Sequence, residues 1–392
     1  MKIVLNIKWV TPVFSLFLAC AAMAQDAGIN DNARILGGLQ PTDPALAKKL
    51  EGTSFQPFSQ ATERDWNQLR PGPGKTQISA RTRLEKMSAW SKSEIPDFDA
   101  GCTTLFYPFG SADILNAQKF FPNCRRYLLM GLENVGTFPD FNKILDSSNP
   151  HAFDAYLVGA RASQSELFRL GYIITAQTQK VQATTKLDGN AALLAYLLVI
   201  GGNTLTKIQF FCITPSLNQQ NSTDAYTSIK CQPTDIPGVQ ISFQDASNVA
   251  KEVVYLEKNL DNSSFTIQSS VRAYIQRLAN EDGHEFTTFL KAASYLMHWA
   301  GFSEIRTFVF DSSRYIIQDD SGIAYPFIDQ QKWNVKLYGD YINPVPVFKN
   351  IAQPELKNVY YPHGIKDATI PALPLNYGYN FWQASVMVLR KK

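Results

Sequence analysis

The first group of residues that could do chemistry is the turn Tyr107-Pro108-Phe109-Gly110-Ser111-Ala112-Asp113, together with Glu133. The turn lies between a strand pattern and a helix pattern, and Glu133 ends the next strand pattern. Rossmann-like folds hold a phosphate or carboxylate at such a helix N-terminus and a ribose on such an acid. Tyr107, Ser111, Asp113 and Glu133 are therefore candidate ligand-binding residues. The single glycine and the charge of Asp113 argue against a dinucleotide, and helix capping by Ser111 or Asp113 is the structural alternative.

The second group lies in the segment from Phe289 to His298. Its apolar spacing predicts a helix from Glu285 to Ala300, on which Lys291, Ser294 and His298 would share one face. We expect Lys291 and Ser294 to contact an acidic ligand and His298 to donate or accept a proton. Ser294 and His298 are one helical turn apart, a spacing that seldom gives nucleophile and base geometry. A half-buried histidine with a satisfied hydrogen bond is the alternative.

The third group is Gln318-Asp319-Asp320-Ser321-Gly322-Ile323, which follows a strand pattern. Adjacent carboxylates bind Ca²⁺ in some proteins and act as acid and base in others. The segment does not have the ligand ladder of an EF-hand loop, and neighbours on an extended chain point to opposite faces. Asp319 and Asp320, with His298, are the candidate catalytic residues. A simple turn is the alternative, because Asp-Ser-Gly is a common turn composition.

The elements that must position these groups follow from the hydrophobic patterns. Residues 103–107, 113–121 and 125–132 read as strand, helix and strand, which is one βαβ unit. Further helices are predicted at 152–170, 190–200, 269–279 and 285–300. Further strands are predicted at 205–213, 226–231, 239–243, 253–257, 315–318 and 333–338, whereas 302–310 fits either type. The pattern predicts an α/β fold with a Rossmann-like mixed sheet flanked by helices.

The chain begins with the pattern of an export signal. Lys2 and Lys8 precede a short apolar run that begins at Trp9. The run ends in Ala22-Met23-Ala24, a small-x-small cleavage pattern. We therefore expect residues 1–24 to be a signal peptide, 25–95 a helical N-terminal extension, and 96–392 an α/β domain with an irregular C-terminal region. Lipidation of Cys20 is the rival interpretation, which the absence of leucine three residues earlier disfavours. The protein is expected in the periplasm or outside the cell.

The cysteines fit that compartment. Without the signal, Cys102, Cys124, Cys212 and Cys231 remain, an even number that predicts two disulfides where three pairings are possible. The sequence-local pairing, Cys102–Cys124 and Cys212–Cys231, is favoured. The sequence has no C-x-x-C motif and no histidine near any of these cysteines, so a zinc site is not expected. No cofactor or metal is predicted.

Composition excludes several classes of protein. Of the 392 residues, 45% are hydrophobic and 18% charged, which is globular usage rather than that of a disordered or fibrous chain. The net charge of +3 includes the two lysines of the signal, so little positive charge remains to attract nucleic acid. The most apolar run outside the signal, residues 191–200, is about half the ~20 residues that a membrane helix needs.

Several of these segments resemble a poorly characterised family of secreted bacterial proteins. The resemblance rests on 105–113, on Phe120-Phe121-Pro122 with Gly131-Leu132-Glu133, and on 291–298, 318–323 and 333–341. That family often has Ser-Gly-Pro-Asp where this chain has Gly110-Ser111-Ala112-Asp113, so the turn differs while Asp113 is kept. The resemblance implies an exported protein and no particular reaction.

These patterns support three functional hypotheses. The leading one is binding of a small-molecule or envelope-derived ligand in a cleft at the carboxyl ends of the strands. The second is a periplasmic hydrolase in which Asp319 or Asp320 is the base and His298 assists. The third is a structural envelope component whose proline- and aromatic-rich C-terminal region packs on a partner. The sequence does not predict the oligomeric state.

Overall fold

A computed structural model describes most of the chain. The described residues are 27–55, 67, 70–71, 77–147, 150–170, 175–281, 283, 285–344, 350–375, 377 and 384–392. The predicted signal peptide and Cys20 lie outside them.

The centre of the molecule is a sheet of ten strands. A separate two-stranded ladder pairs β1 (Arg70–Pro71) with β2 (Gln77–Ile78). The strands of the large sheet are β3 (Thr104–Tyr107), β4 (Arg126–Gly131), β5 (Thr204–Ile213), β6 (Gln219–Asn221), β7 (Ile236–Gln244), β8 (Ala250–Glu257), β9 (Phe286–Leu290), β10 (Ser313–Gln318), β11 (Trp333–Gly339) and β12 (Ser385–Lys391). Their spatial order is β11-β12-β10-β9-β3-β4-β8-β7-β5-β6.

The middle of this sheet is parallel and its two sides are antiparallel. β10, β9, β3, β4 and β8 are parallel neighbours, whereas β11 and β12 on one side and β7, β5 and β6 on the other pair antiparallel. From β3 the chain passes to β4 on one side, and it later returns to place β9 on the other side of β3. The carboxyl ends of β3 and β9 are therefore neighbours although the strands are far apart in sequence.

Helices cover both faces of the sheet. They are α1 (Ala27–Leu36), α2 (Pro44–Lys49), α3 (Ala80–Glu94), α4 (Pro96–Ala100), α5 (Ile114–Phe120), α6 (Phe141–Asp146), α7 (Pro150–Leu170), α8 (Thr175–Thr184), α9 (Asn190–Ile200), α10 (Ser270–Glu281), α11 (Ser303–Ser312) and α12 (Pro354–Tyr360). Short 3₁₀ turns include Ala292–His298.

Two hydrophobic cores lie on opposite faces of the sheet. Alternate strand residues divide between them, as the pleat requires: Leu105 and Leu129 face one core, and Phe106 and Leu128 face the other. The first core contains buried residues of α1, α3, α5, α7 and α9, and the second those of α10, α11 and α12. The helices of the expected N-terminal extension, α1, α2 and α3, thus share a core with the α/β region.

Most local predictions agree with the structure, but one important prediction is wrong. Residues 285–300 do not form an α-helix: Phe286–Leu290 is strand β9, Lys291 is extended, and Ala292–His298 is a short 3₁₀ helix. All five residues of β9 are buried, as in a parallel strand covered on both faces. The run Phe286-Thr287-Thr288-Phe289, β-branched and aromatic, was the local signal for a strand.

Two further predictions need correction. Residues 226–231 form no strand. They are irregular structure that follows the short edge strand β6. The C-terminal region, expected to be irregular with short strands of no assigned range, contributes β12, a seven-residue strand between β10 and β11. β12 is buried over its first five residues, so the end of the chain completes the sheet.

The two predicted disulfides are confirmed. Cys102 pairs with Cys124 and Cys212 with Cys231. Stable disulfides are typical of oxidising compartments. Among the described residues, no helix is both long enough and apolar enough to cross a membrane.

Candidate functional site

Polar residues gather where the central parallel strands end. Tyr107 ends β3, Glu257 ends β8, Lys291 follows β9 and Asp319 follows β10, while Glu133 lies two residues beyond β4. Because these five strands are parallel, their carboxyl ends meet at one edge of the sheet. We call this set of strand ends and the loops after them the carboxyl edge.

Asp113 is the centre of a buried hydrogen-bond network at the carboxyl edge. Its Oδ2 accepts hydrogen bonds from Lys291 Nζ at 3.0 Å and from Tyr107 Oη at 3.1 Å. Its Oδ1 accepts one from Asn116 Nδ2 at 2.6 Å. Arg83 of α3 then donates from Nη1 to Asn116 Oδ1 at 2.7 Å. The network therefore joins side chains from three separate parts of the chain.

The Asp113–Lys291 ion pair is almost completely buried, at 2% and 1% side-chain exposure. Burial lowers the pKa of Lys291, while the negative charges of Asp113 and Asp319 oppose that shift. Asp113 occupies the N-cap position of α5, yet its carboxylate makes no capping hydrogen bond to the backbone. The capping alternative thus does not explain this aspartate. Its carboxylate is held by Lys291, Tyr107 and Asn116 instead.

Asp319 and Asp320 form the turn after β10. Asp319 Oδ1 accepts from Ser321 N at 2.9 Å and from the Ser321 hydroxyl, and Gly322 N donates to Asp319 O at 3.1 Å. Asp320 is partly exposed and accepts from Ser385 Oγ at 3.2 Å. Burial raises the pKa of both carboxyls, and that of Asp320 is raised further by the charge of Asp319.

His298 lies against this turn. The backbone of Asp320 and Gly322 hydrogen-bonds to its ring, but burial dominates and lowers the pKa of His298 to about 4. The ring is therefore neutral at pH 7. Its Nε2 is buried and, among the described residues, has no hydrogen-bond partner. Ser294 is engaged elsewhere, because its hydroxyl accepts from Lys291 N and donates to Lys291 O.

Glu133 is the most unusual residue of the carboxyl edge. It is completely buried, and neither carboxyl oxygen has a hydrogen-bond partner among the described residues. Its side chain folds back over Gly131: a Cβ on that glycine would lie 2.4 Å from Glu133 Oε2 and 3.0 Å from Tyr255 Oη. Burial raises the pKa of the nearby Glu257 carboxyl, and the negative charge of Glu133 raises it further. Burying a carboxylate without hydrogen-bond donors costs free energy, and such groups in native proteins usually have a structural or functional reason.

Ser111 stands beside Glu133. The Cβ placed on Gly131 would also lie 3.3 Å from Ser111 Cα. Ser111 Oγ accepts from Asn190 Nδ2 at 3.2 Å, which ties the turn after β3 to the first residue of α9. Its φ is +47°, and Ala292, next to Lys291, has a φ of +56°. Such strained backbone in residues other than glycine is found preferentially at functional sites.

The structure brings the predicted residues together in two groups. Asp113, Tyr107 and Lys291 form one network with Asp319 close by, and Ser111 lies with Glu133. His298 and Asp320 meet through ring and backbone. Arg83, Asn116 and Asn190 were not predicted as site residues. A signal existed for Asn116, a polar residue within the apolar pattern of α5, but none marks Arg83 among the other charged residues of α3.

No metal site is evident from the described residues, since no three His, Cys, Asp or Glu side chains are grouped to hold an ion. In comparisons with known proteins, no family model, no curated protein and no solved structure matches this chain.

Proposed function

We propose that this chain is an exported protein that binds a small-molecule or envelope-derived ligand at the carboxyl edge of a Rossmann-like sheet. The observation that carries the proposal is Glu133, a fully buried carboxylate neither of whose oxygens has a hydrogen-bond partner among the described residues. A ligand with hydroxyl or amine donors would supply the missing hydrogen bonds. Its location supports this, because open α/β sheets bind ligands beyond the carboxyl ends of their strands, where the strand order reverses.

The other residues of the carboxyl edge have supporting roles. Ser111 uses its oxygen as acceptor for Asn190, so its hydroxyl hydrogen is available to a ligand beside Glu133. The Asp113–Lys291 pair is saturated by its own partners and holds the turn after β3 against the end of β9. We assign this pair a positioning role and Glu133 the direct contact.

The test is a native mass spectrum of the mature protein purified from its own cell envelope, before and after denaturation. We expect a discrete extra mass that disappears on denaturation and is absent from Glu133→Gln. The amide keeps the shape of the side chain but loses the charge and half of the acceptor capacity. Glu51→Gln, at an exposed position, is the matched control and should retain the mass.

Glu133→Gln should also leave the empty protein as stable as the wild type or more stable, because an unpaired buried amide costs less than an unpaired buried carboxylate. Loss of the ligand without loss of stability separates a binding role from a structural one. The proposal is wrong if the wild type shows only the mass of its polypeptide, or if Glu133→Gln keeps the extra mass.

A hydrolase is the second candidate, favoured by the neutral ring of His298, which lies beside Asp320 and whose Nε2 has no hydrogen-bond partner within the described ranges. In that hypothesis Asp319 or Asp320 acts as base and His298 assists. Incubating the protein with a cell-envelope extract and comparing products by mass spectrometry tests it. Products that appear with the wild type and not with His298→Gln would support hydrolysis; identical spectra would exclude it for the bonds in that extract.

A further inference from the structure

A second candidate site lies away from the carboxyl edge, on the outer side of the helical layer. It is a groove of about 720 Å³, within the range of small-molecule sites. It is lined by Leu39, Arg81, Leu84, Glu85, Ser88, Ala89, Lys92, Lys119, Ile200 and Gly201. We call it the α3 groove, because six of these residues belong to α3 at spacings of three and four that place them on one helix face.

The floor and the rim of the α3 groove differ in chemistry. Leu84, Ala89 and Ile200 supply apolar surface, and Ile200 is held in place by close packing against Gly37. Lys92 and Lys119 supply positive charge at the rim. Among the described residues neither lysine forms an ion pair, and of those that line the groove only Glu85 is acidic. The groove thus offers an apolar surface next to an excess of positive charge.

We propose that the α3 groove binds an amphiphile with an anionic head and a hydrocarbon chain, such as a single-chain phosphate or carboxylate. The head would lie between Lys92 and Lys119 and the chain along Leu84, Ala89 and Ile200. Each methylene of such a chain that is removed from water adds to the affinity, so even a short buried length gives measurable binding. The small volume and the few charges fit such a molecule better than a nucleic acid or a protein.

The site does not depend on the ligand proposed for the carboxyl edge. Arg83, which joins the Asp113 network, lies on a different face of α3 from Arg81 and Ala89 and is buried. Variants in the α3 groove therefore leave Glu133 and its surroundings unchanged.

Binding can be measured by calorimetry with the mature protein and dodecyl phosphate below its micelle concentration. We expect saturable binding of one molecule per chain. Ala89 is exposed, so Ala89→Trp fills the groove without entering the core, and we expect it to weaken binding at least about tenfold. Ala162→Trp, an exposed alanine of α7, is the matched control and should bind like the wild type.

The double variant Lys92→Gln/Lys119→Gln tests the head group. It should weaken dodecyl phosphate binding about fivefold to tenfold and reduce its salt dependence, because two partly exposed charges contribute modestly and are screened. Dodecyl maltoside, which has the same chain and an uncharged head, should bind weakly to all variants. Inorganic phosphate alone should not displace dodecyl phosphate at equal concentration.

Three results would overturn the proposal. The first is a wild type that does not bind dodecyl phosphate saturably, and the second is weakening of binding by Ala162→Trp as large as that by Ala89→Trp. The third is a wild type that binds dodecyl maltoside as tightly as dodecyl phosphate. Binding to phosphatidylglycerol vesicles without binding to monomeric dodecyl phosphate would indicate surface attraction to a membrane instead. A dimer that Ala89→Trp converts to a monomer would assign the groove to a second copy of the chain.

Discussion

At the scale of single residues, the carboxyl edge contains two kinds of buried charge. Asp113 and Lys291 satisfy each other and are further supported by Tyr107 and Asn116. Glu133 is equally buried, and the part of the chain that the structure describes gives its carboxylate no hydrogen-bond donor. The contrast matters because a saturated pair explains its own burial, whereas the proposed ligand would supply the hydrogen bonds that Glu133 does not make with these residues.

Removing one member of the saturated pair should be costly. Lys291→Met leaves Asp113 buried without its cation, and we expect a loss of about 3–5 kcal/mol in the free energy of unfolding. The double variant Asp113→Asn/Lys291→Met removes both charges and should recover part of that loss. Denaturant unfolding of four proteins, the wild type, Lys291→Met, Asp113→Asn and the double variant, measures these losses. A double variant that loses the sum of the two single losses would show that the charges do not interact.

His298 should make the stability depend on pH. Its pKa falls to about 4 on folding because burial disfavours the imidazolium ion, against an ordinary value of 6.5. As the pH falls, the imidazole of the unfolded chain therefore binds a proton at a higher pH than that of the folded chain. The free energy of unfolding should decrease as the pH falls from about 6.5 to about 4. The raised carboxyl pKa values of Asp319 and Asp320 act in the opposite sense, since their contribution is lost as the pH rises.

His298→Gln isolates the histidine effect from that of the aspartates. Relative to this variant, the wild type should lose up to about 3 kcal/mol between pH 6.5 and pH 4, as the difference in pKa implies. Thermal or urea unfolding at several pH values gives the difference. Parallel stability curves for the two proteins would contradict a buried neutral imidazole.

At the scale of elements, the strands were predictable where the local pattern matched the burial. β3, β4 and the helix α9 follow their predicted ranges closely, because their apolar runs are buried over their whole length. β9 was taken for a helix, since a fully buried run has no alternation that would distinguish the two. Short strands were expected in the C-terminal tail, but β12 was given no range, because the proline- and tyrosine-rich segment before it suggested mostly irregular structure.

The C-terminal strand should be essential for folding. Val388 of β12 is fully buried and pairs with Ile317 on β10 and Lys336 on β11. Val388→Asp places an unpaired charge inside the sheet, so we expect loss of the cooperative thermal transition and poor recovery of folded protein. Lys392→Asp, at the exposed end of the same segment, should unfold like the wild type. A normal transition for Val388→Asp would show that β12 is dispensable.

At the scale of the whole molecule, one sheet carries two cores and holds distant segments together. The chain returns to β3 only after β8, and this order sets β9 and its Lys291 next to the turn that contains Asp113. The two disulfides act locally within this frame, one joining the start of β3 to the segment before β4 and the other joining β5 to the loop after β6.

Each disulfide should add stability to the whole fold. The bridges close loops with sequence separations of 22 and 19, for which the chain-entropy model gives about 3 kcal/mol each. We expect Cys102→Ala/Cys124→Ala and Cys212→Ala/Cys231→Ala each to lower the midpoint of thermal unfolding. Reductant should lower the midpoint of the wild type and have less effect on each double variant. A wild-type midpoint that reductant leaves unchanged would contradict this.

Local sequence patterns were sufficient for most helices and strands, for both disulfide pairs, and for the positions of Tyr107, Glu133 and Asp319 at strand ends, whereas Lys291 was placed on a helix. Periodicity and spacing act over a few residues, so they are sufficient for these features. The folded structure was needed to show that Lys291 binds Asp113 across 178 residues and that Arg83 joins them through Asn116. It was also needed to show that Glu133 is buried with no donor among the described residues. Those facts depend on strand order and on what each side chain meets in the folded core, which no local pattern contains.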